Sequence, residues 1–109
     1  MDPSINPLIA MKLIQKSLLK GTQEFELLDD EVRVRIKSPF KNKELSVPLA
    51  ILNPEPEIEG GRLHFHSRVK CGPLLSLDLN KPNVEEFNAF VDAVKQKALK
   101  EYNSFAGIK

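Results

Sequence analysis

Apolar and polar residues follow two different periods along this chain, and the longest regular pattern lies near the C-terminal end. Between Asn80 and Phe105, apolar side chains recur at intervals of three, four or seven residues, at Val84, Phe87, Val91, Val94, Ala98 and Phe105. That spacing puts them on one side of an α-helix. Asn83 followed by Glu86 is typical of a capping box. The pattern predicts a helix over about 82–104 with one face on a core.

A second helical pattern precedes the central part of the chain. Asn6 and Pro7 fit an N-cap and a first helical position, and Gly21 fits the residue after a helix. The lysines of this segment fall four residues apart and would share a face: Lys12, Lys16 and Lys20. We predict a helix over about 7–20, packed on the domain with the lysines in water. A basic amphipathic helix lying on a membrane or a partner is the alternative.

Between these segments the period changes to alternation, which is typical of strands with one buried face. We predict strands over about 22–28, 31–37, 44–52, 62–68 and 74–79. Short connections favour pairing between neighbours in sequence. The predicted fold class is therefore α+β: a single antiparallel sheet of about five strands in meander order, with an N-terminal and a C-terminal helix packed on one face.

The predicted turns determine which charged side chains lie opposite each other. A two-residue turn at 29–30 would set two glutamates against two arginines, Glu26 opposite Arg33 and Glu24 opposite Arg35. A loop over 38–43 would likewise set Glu44 opposite Lys37. The arginines of this face would therefore be partly neutralised.

A strand meander closed by a C-terminal helix resembles the element order of pleckstrin-homology-like domains. The leading helix and the strand count depart from that order, so we assign no family. The 109 residues show a uniform composition, which predicts one domain spanning 1–109 with a core of its own.

Composition narrows the classes of partner. A net charge of +1 gives no global attraction to nucleic acid or anionic membranes, although a local basic patch remains open. Cys71 is the single cysteine, so no intramolecular disulfide can form. The N-terminus lacks a signal-peptide pattern and the apolar runs are too short to span a bilayer, so we expect a cytoplasmic protein without a membrane span.

The best candidate for site chemistry is a pair of histidines two residues apart. A turn over 69–73 would place Asp78 opposite His64, and two histidines with one carboxylate can bind a divalent metal. Arg62 and Arg68 flank the pair and would repel a cation, so exposed surface histidines are the simpler interpretation. A pH-sensitive or anion-binding role of the two histidines is a third interpretation. We predict no cofactor.

The outer face of the predicted sheet collects six basic side chains: Arg33, Arg35, Arg62, His64, His66 and Arg68. Such a surface can bind phosphate groups or an RNA backbone. Acidic residues on the same face, the absence of Trp and the single Tyr argue against nucleic acid. The stretch 53–61 carries two prolines and three glutamates and would form a solvated connector or a recognition loop. Cys71 lies in a turn without a predicted base.

These patterns favour a small non-catalytic module that binds a protein partner or a second copy of itself. Exposed strand edges would allow a dimer to form by pairing between chains. We expect Arg33, Arg35, His64 and His66 to form the contact surface. A metal or ligand site, enzymatic or not, at His64, His66 and Asp78 is the first alternative. Anion or nucleic-acid binding by the arginines is the second.

Overall fold

Two antiparallel sheets and one C-terminal helix make up the protein, as a computed structural model shows. The structure describes residues 11–17, 21–69 and 71–105, with side chains up to residue 103. The first sheet contains, in sequential order, β1 (Met11–Ser17), β2 (Gly21–Leu27), β3 (Glu31–Lys37) and β4 (Asn42–Pro48). The second contains β5 (Glu57–Glu59), β6 (Arg62–His66) and β7 (Pro73–Asp78), and α1 (Val84–Phe105) follows.

The predicted single sheet of about five strands with a helix at each end is wrong. The described residues form a sheet of four strands and a sheet of three strands, and they contain a single α-helix. The chain leaves the first sheet through a 3₁₀ turn, Leu49–Ile51. Beyond that turn the amide of Asn53 donates to the carbonyl of His66 at 2.8 Å, which begins the attachment to the second sheet. The protein is nevertheless a single-domain α+β protein with antiparallel meanders.

The predicted N-terminal helix is also wrong where it can be compared, because Met11–Ser17 is strand β1. The rest of the predicted segment, residues 7–10 and 18–20, lies outside the described residues. Lys12 and Lys16 are four residues apart, and this spacing places them on one face of a helix and also on one face of a strand. It therefore does not distinguish the two structures. Gln15 occupies a buried position in the strand, and a polar residue there hides the alternation that would indicate a strand.

The stretch between the predicted third and fourth strands contains an additional strand. Glu57–Glu59 pairs with β6 although all three of its residues are exposed, so no apolar pattern marks it. The strand predicted over 44–52 ends at Pro48 because the chain enters the 3₁₀ turn, where the amide of Leu52 donates to the carbonyl of Leu49 at 3.1 Å. The chain thus forms two sheets in place of one, and residues 11–17 do not form a helix. As predicted, the element order nevertheless ends in a strand meander followed by a helix.

The predicted turn at 29–30 has the expected register, with Glu24 opposite Arg35 and Glu26 opposite Arg33. The register predicted for the next hairpin is wrong by two residues. Lys37 lies opposite Asn42, and Glu44 lies opposite Arg35. The reason is a shorter loop, because the amide of Ser38 donates to the carbonyl of Lys41 at 2.9 Å and closes the turn early.

One apolar core joins both sheets and the helix. Its largest members are the rings of Phe25, Phe65 and Phe90, which come from β2, β6 and α1. The rings of Phe25 and Phe90 lie 6.4 Å apart at a tilt of 56°, and this separation of the ring centres is within the range that aromatic pairs favour. The predicted capping box is confirmed, since the amide of Glu86 donates to Asn83 Oδ1 at 2.9 Å and Asn83 Nδ2 donates to Glu86 Oε2 at 2.8 Å.

Candidate functional site

The outer face of the first sheet carries rows of opposite charge on neighbouring strands. Arg35 lies between carboxylates of both adjacent strands, at nitrogen–oxygen distances of 3.7–3.8 Å from Glu24, Glu26 and Glu44. Arg33 lies 3.1 Å from Glu31 and 3.7 Å from Glu44. The cross-strand registers produce this ladder, because they bring β2 and β4 glutamates beside the β3 arginines. Both arginines of this face are therefore charge-compensated.

The outer face of the second sheet carries the two histidines and Arg62. Arg62 Nη1 donates to Asp78 Oδ1 at 2.9 Å, so this arginine is also compensated. His64 Nδ1 lies 2.7 Å from the hydroxyl of Ser76, which is its cross-strand neighbour. His66 Nε2 lies 3.4 Å from Glu57 Oε1, but the angle between them does not make a hydrogen bond. The six predicted basic residues thus belong to two sheets and the loop after β6, not to one face.

The register assumed for the candidate metal set is wrong by two residues. Ser76 lies opposite His64, whereas Asp78 lies opposite Arg62 and pairs with it. The reason is where the hairpin closes: the amide of Ser67 donates to the carbonyl of Gly72 at 3.2 Å, so pairing starts at His66 opposite Pro73, and the bulge between Phe65 and His66 then changes the register by one residue. Among the residues that the structure describes, no three His, Cys, Asp or Glu side chains are placed to hold a metal ion together.

Arg68 differs from the other three arginines of the chain. It follows β6, where its amide donates to the carbonyl of Ile51 at 2.8 Å. Its guanidinium reaches the C-terminal helix, where Nη2 donates to the carbonyl of Ala98 at 3.2 Å and Cζ lies 3.9 Å from the centre of the Tyr102 ring. Nε is buried without a hydrogen-bond partner, and no carboxylate of the described residues lies within ion-pair distance.

The environment of Arg68 changes the energy of its charge. Burial lowers the pKa of the Arg68 guanidinium, and the nearby Tyr102 opposes part of that effect. A guanidinium keeps its charge at neutral pH all the same, because its ordinary pKa lies far above neutrality. Stacking on an aromatic ring offsets some of the lost hydration. A cation that has lost water and has no acidic partner gains more from an added anion than a fully hydrated one does.

Arg68 lies in a groove between the chain before β5 and the helix. The groove has a volume of about 470 Å³, and its lining is Asn53, Pro54, Glu55, Arg68, Leu99 and Tyr102. A second recess of about 300 Å³ continues along the helix and is lined by Pro54, Glu55, Lys95, Gln96 and Leu99. Because the two share three residues, they form one continuous depression, which we call the Arg68 groove.

One wall of the Arg68 groove contains a hydrogen bond from the backbone to a side chain. The amide of Glu55 donates to Asn53 Oδ1 at 3.0 Å, which forms an Asx turn, and Pro54 within that turn lines the groove. On the opposite wall Leu99 and Tyr102 are 47% and 38% exposed although the helix has a fully buried stripe elsewhere. A large aliphatic and an aromatic side chain are thus left partly in water beside a cation.

The six basic residues predicted for one sheet face include Arg68, but no predicted site includes Leu99 or Tyr102. A sequence signal for them exists, because Lys95, Leu99 and Tyr102 follow a spacing of four and three residues and so share one helical face. That face lies outside the buried stripe that contains Val91, Val94 and Ala98. The Pro-stiffened stretch that begins at Asn53 was identified as a possible recognition loop, and its first three residues line the groove.

A scan against protein-family models, a search of curated proteins and a search of solved structures each found no match to this chain. Function is therefore inferred from the geometry of the chain itself. Within the part of the chain that the structure describes, no helix is both long and apolar enough to cross a membrane. Cys71 is an exposed free thiol.

Proposed function

We propose that this protein is a small non-catalytic module that binds a protein partner through the Arg68 groove. One observation carries the proposal. Each of the other three arginines has a carboxylate within 3.8 Å, whereas Arg68 has none among the described residues and opens into a groove with apolar walls. Arg and Tyr are the side chains most often found at the energetic centre of protein interfaces.

The lining of the groove indicates what the partner contributes. Arg68 would pair with a carboxylate, in a geometry that a planar guanidinium favours. Leu99, Tyr102 and Pro54 would cover an apolar side chain next to that carboxylate. Glu55 and Lys95 also line the groove, and each would favour a partner residue of opposite charge beside it. The proposed ligand is therefore a segment of a protein that carries an acidic group beside an apolar side chain.

The earlier candidates receive less support from the geometry. Arg33 and Arg35 would have to give up existing carboxylate partners before they could bind another anion. His64 and Ser76 form a pair 2.7 Å apart, and we interpret it as a cross-strand contact that joins β6 and β7. We also propose a cytoplasmic location, which a single unpaired cysteine favours, since disulfides form mainly in oxidising compartments.

Affinity isolation from the source cells tests this proposal with three tagged forms of the protein. These are the wild type, Arg68→Gln and, as a matched control, Arg33→Gln. Because removing one partner of a buried interfacial charge pair costs about 2–5 kcal/mol of binding free energy, we expect Arg68→Gln to reduce the co-isolated partner at least tenfold. Arg33→Gln should leave it within about twofold.

A second variant separates binding from folding, because Arg68 also contacts the helix. Leu99→Ala removes a half-exposed side chain from the groove and leaves the Arg68 hydrogen bonds in place. It should reduce the same partner several-fold while the melting temperature stays close to that of the wild type. The proposal would be contradicted if Arg33→Gln and Arg68→Gln reduced the co-isolated partner equally, or if neither Arg68→Gln nor Leu99→Ala reduced it. Capture of a second copy of the chain alone would identify the partner as self.

A further inference from the structure

The hairpin between β3 and β4 presents an aromatic ring to solvent. Phe40 is 95% exposed, which is the largest exposure among the large apolar side chains that the structure describes. Elsewhere Phe25, Phe65, Phe87 and Phe90 are buried in the core. Leaving a phenylalanine in water gives up the stabilisation that burial provides. A ring held in this position therefore suggests a contact with another apolar phase.

The turn that carries Phe40 is fixed by three hydrogen bonds between Ser38 and Lys41. The Ser38 amide donates to the Lys41 carbonyl at 2.9 Å, and the Ser38 hydroxyl donates to the same carbonyl at 2.8 Å. The Lys41 amide donates to Ser38 Oγ at 3.1 Å. Pro39 sets the backbone at the first central position, where proline is favoured. Phe40 is therefore displayed by a closed turn, and its ring cannot fold back on the core without opening that turn.

Three lysines lie in the same hairpin as this ring, one at the end of β3, one in the turn and one in β4. Lys37, Lys41 and Lys43 are exposed, and none of them lies within ion-pair distance of an acidic side chain in the described part of the chain. No Asp or Glu occurs between Glu31 and Glu44. This is the opposite of the neighbouring sheet face, where arginines and glutamates compensate each other. We call Lys37, Phe40, Lys41 and Lys43 the basic tip.

We propose that the basic tip docks on an anionic lipid bilayer. The Phe40 ring would enter the interface between headgroups and acyl chains, and the three ammonium groups would lie against anionic headgroups. A bilayer suits a single protruding ring better than a protein partner does, because a stable protein contact buries roughly 800 Å² on each side. Lysine, which is a compact and strongly hydrated charge, suits a headgroup layer. The basic tip shares no residue with the Arg68 groove, so the two proposals are independent.

Vesicle co-sedimentation of the full chain tests this docking. The vesicles contain either phosphatidylcholine alone or equal parts of phosphatidylcholine and phosphatidylserine. We expect binding to the anionic vesicles that weakens with added salt, and no binding to phosphatidylcholine alone. Phe40→Ala should weaken binding about tenfold, and Lys41→Ala about fivefold. Ile58→Ala, which also removes an exposed apolar side chain but lies in β5, should have no effect.

A fluorescence measurement separates insertion from simple charge attraction. The chain contains no Trp, so Phe40→Trp introduces one reporter at the tip. Its emission should shift to the blue on anionic vesicles and stay unshifted on phosphatidylcholine vesicles. Any of three results would overturn the proposal: no sedimentation with anionic vesicles, equal binding by wild type and Phe40→Ala, or no emission shift. Binding to nucleic acid and not to vesicles would also overturn the proposal, because the basic tip would then recognise the phosphates of a nucleic acid.

Discussion

At the scale of single residues, Gly21 begins β2 in a conformation that only glycine adopts easily. Its φ is +82°, and a Cβ at this position would clash with the carbonyl oxygen of Lys37 and lie 2.9 Å from the Cα of Ser38. Both of those atoms belong to backbone, which cannot move aside as the end of a side chain can. Gly21 therefore sets how closely the end of β3 approaches the start of β2.

We expect Gly21→Ala to lower the free energy of unfolding by about 2–4 kcal/mol, because the positive φ and the clash act together. Gly60→Ala is the matched control. Gly60 has a φ of +62° but nothing within 4 Å of the position of a Cβ, so only the conformational cost of about 1–2 kcal/mol applies. Urea denaturation of both variants gives the comparison. Equal losses would show that the close approach to Lys37 does not matter.

Gln15 shows why one strand escapes prediction from sequence. Hydrophobic patterning identifies inward positions by their apolar character, and this inward position of β1 is polar. The burial of Gln15 is favourable only because distant parts of the chain supply its hydrogen-bond partners. Those partners lie more than 60 residues away, so no local window of sequence reveals them.

At the scale of elements, alternation alone predicts much of the sheet structure. The turn at 29–30 and the facing of β2 against β3 follow from the sequence because a two-residue turn leaves a single register. The registers predicted for the hairpins of 31–37 with 44–52 and of 62–68 with 74–79 are wrong by two residues, since the length of a loop depends on hydrogen bonds such as those made by Ser38 and by the amide of Ser67. A shift of two keeps each side chain on its face but changes its partner.

The charge ladder on the first sheet contributes to stability in a salt-dependent way. Arg35 lies near three carboxylates and its side chain is 34% exposed, so we expect Arg35→Ala to cost about 1 kcal/mol at low salt. The cost should shrink in about 1 M salt, where exposed charges are screened within a few ångströms. Lys37→Ala on the same strand, without an acidic partner among the described residues, is the control. Thermal unfolding at two salt concentrations measures the difference, and a cost that grows with salt would contradict this account.

At the scale of the whole molecule, Gln15 connects the two sheets and the approach to the helix. Its Nε2 donates to the carbonyls of Asp78 at 2.8 Å and Lys81 at 2.9 Å, and its Oε1 accepts from the amide of Asp78 at 2.9 Å. Asp78 is the last residue of β7, whereas Gln15 belongs to β1. The side chain therefore completes the hydrogen bonding of backbone groups where the sheets meet.

Gln15→Leu should lower the free energy of unfolding by about 2–4 kcal/mol, because it removes the hydrogen-bond partner that the buried Gln15 side chain supplies to backbone groups of Asp78 and Lys81. Gln23→Leu is the matched control, since Gln23 lies opposite Gln15 in β2 and is only partly buried. That control should stay within about 0.5 kcal/mol of the wild type. Both values come from chemical denaturation, and near-equal stabilities would show that the link between the sheets is not needed.

The Arg68 groove also forms only in the folded molecule. Arg68 and Tyr102 are 34 positions apart in sequence, and the groove exists because the turn at Asn53 and the helix converge on the loop after β6. Sequence alone could select Arg68 as a basic residue but could not distinguish it from Arg33. That distinction depends on the neighbouring carboxylates. Strand pairing brings carboxylates close to Arg33, whereas no carboxylate of the described residues lies within ion-pair distance of Arg68.

Site-specific photo-crosslinking in the source cells tests the central claim, that partner binding takes place in the Arg68 groove. A photoreactive phenylalanine replaces Leu99 in the groove or, as the control, Ser46, which lies opposite Arg33 on the charged sheet face. The account predicts that a partner is crosslinked at position 99 and that this crosslink disappears when Arg68→Gln is added. It predicts no crosslinked partner at position 46. A partner crosslinked from position 46 and absent from position 99 would contradict it.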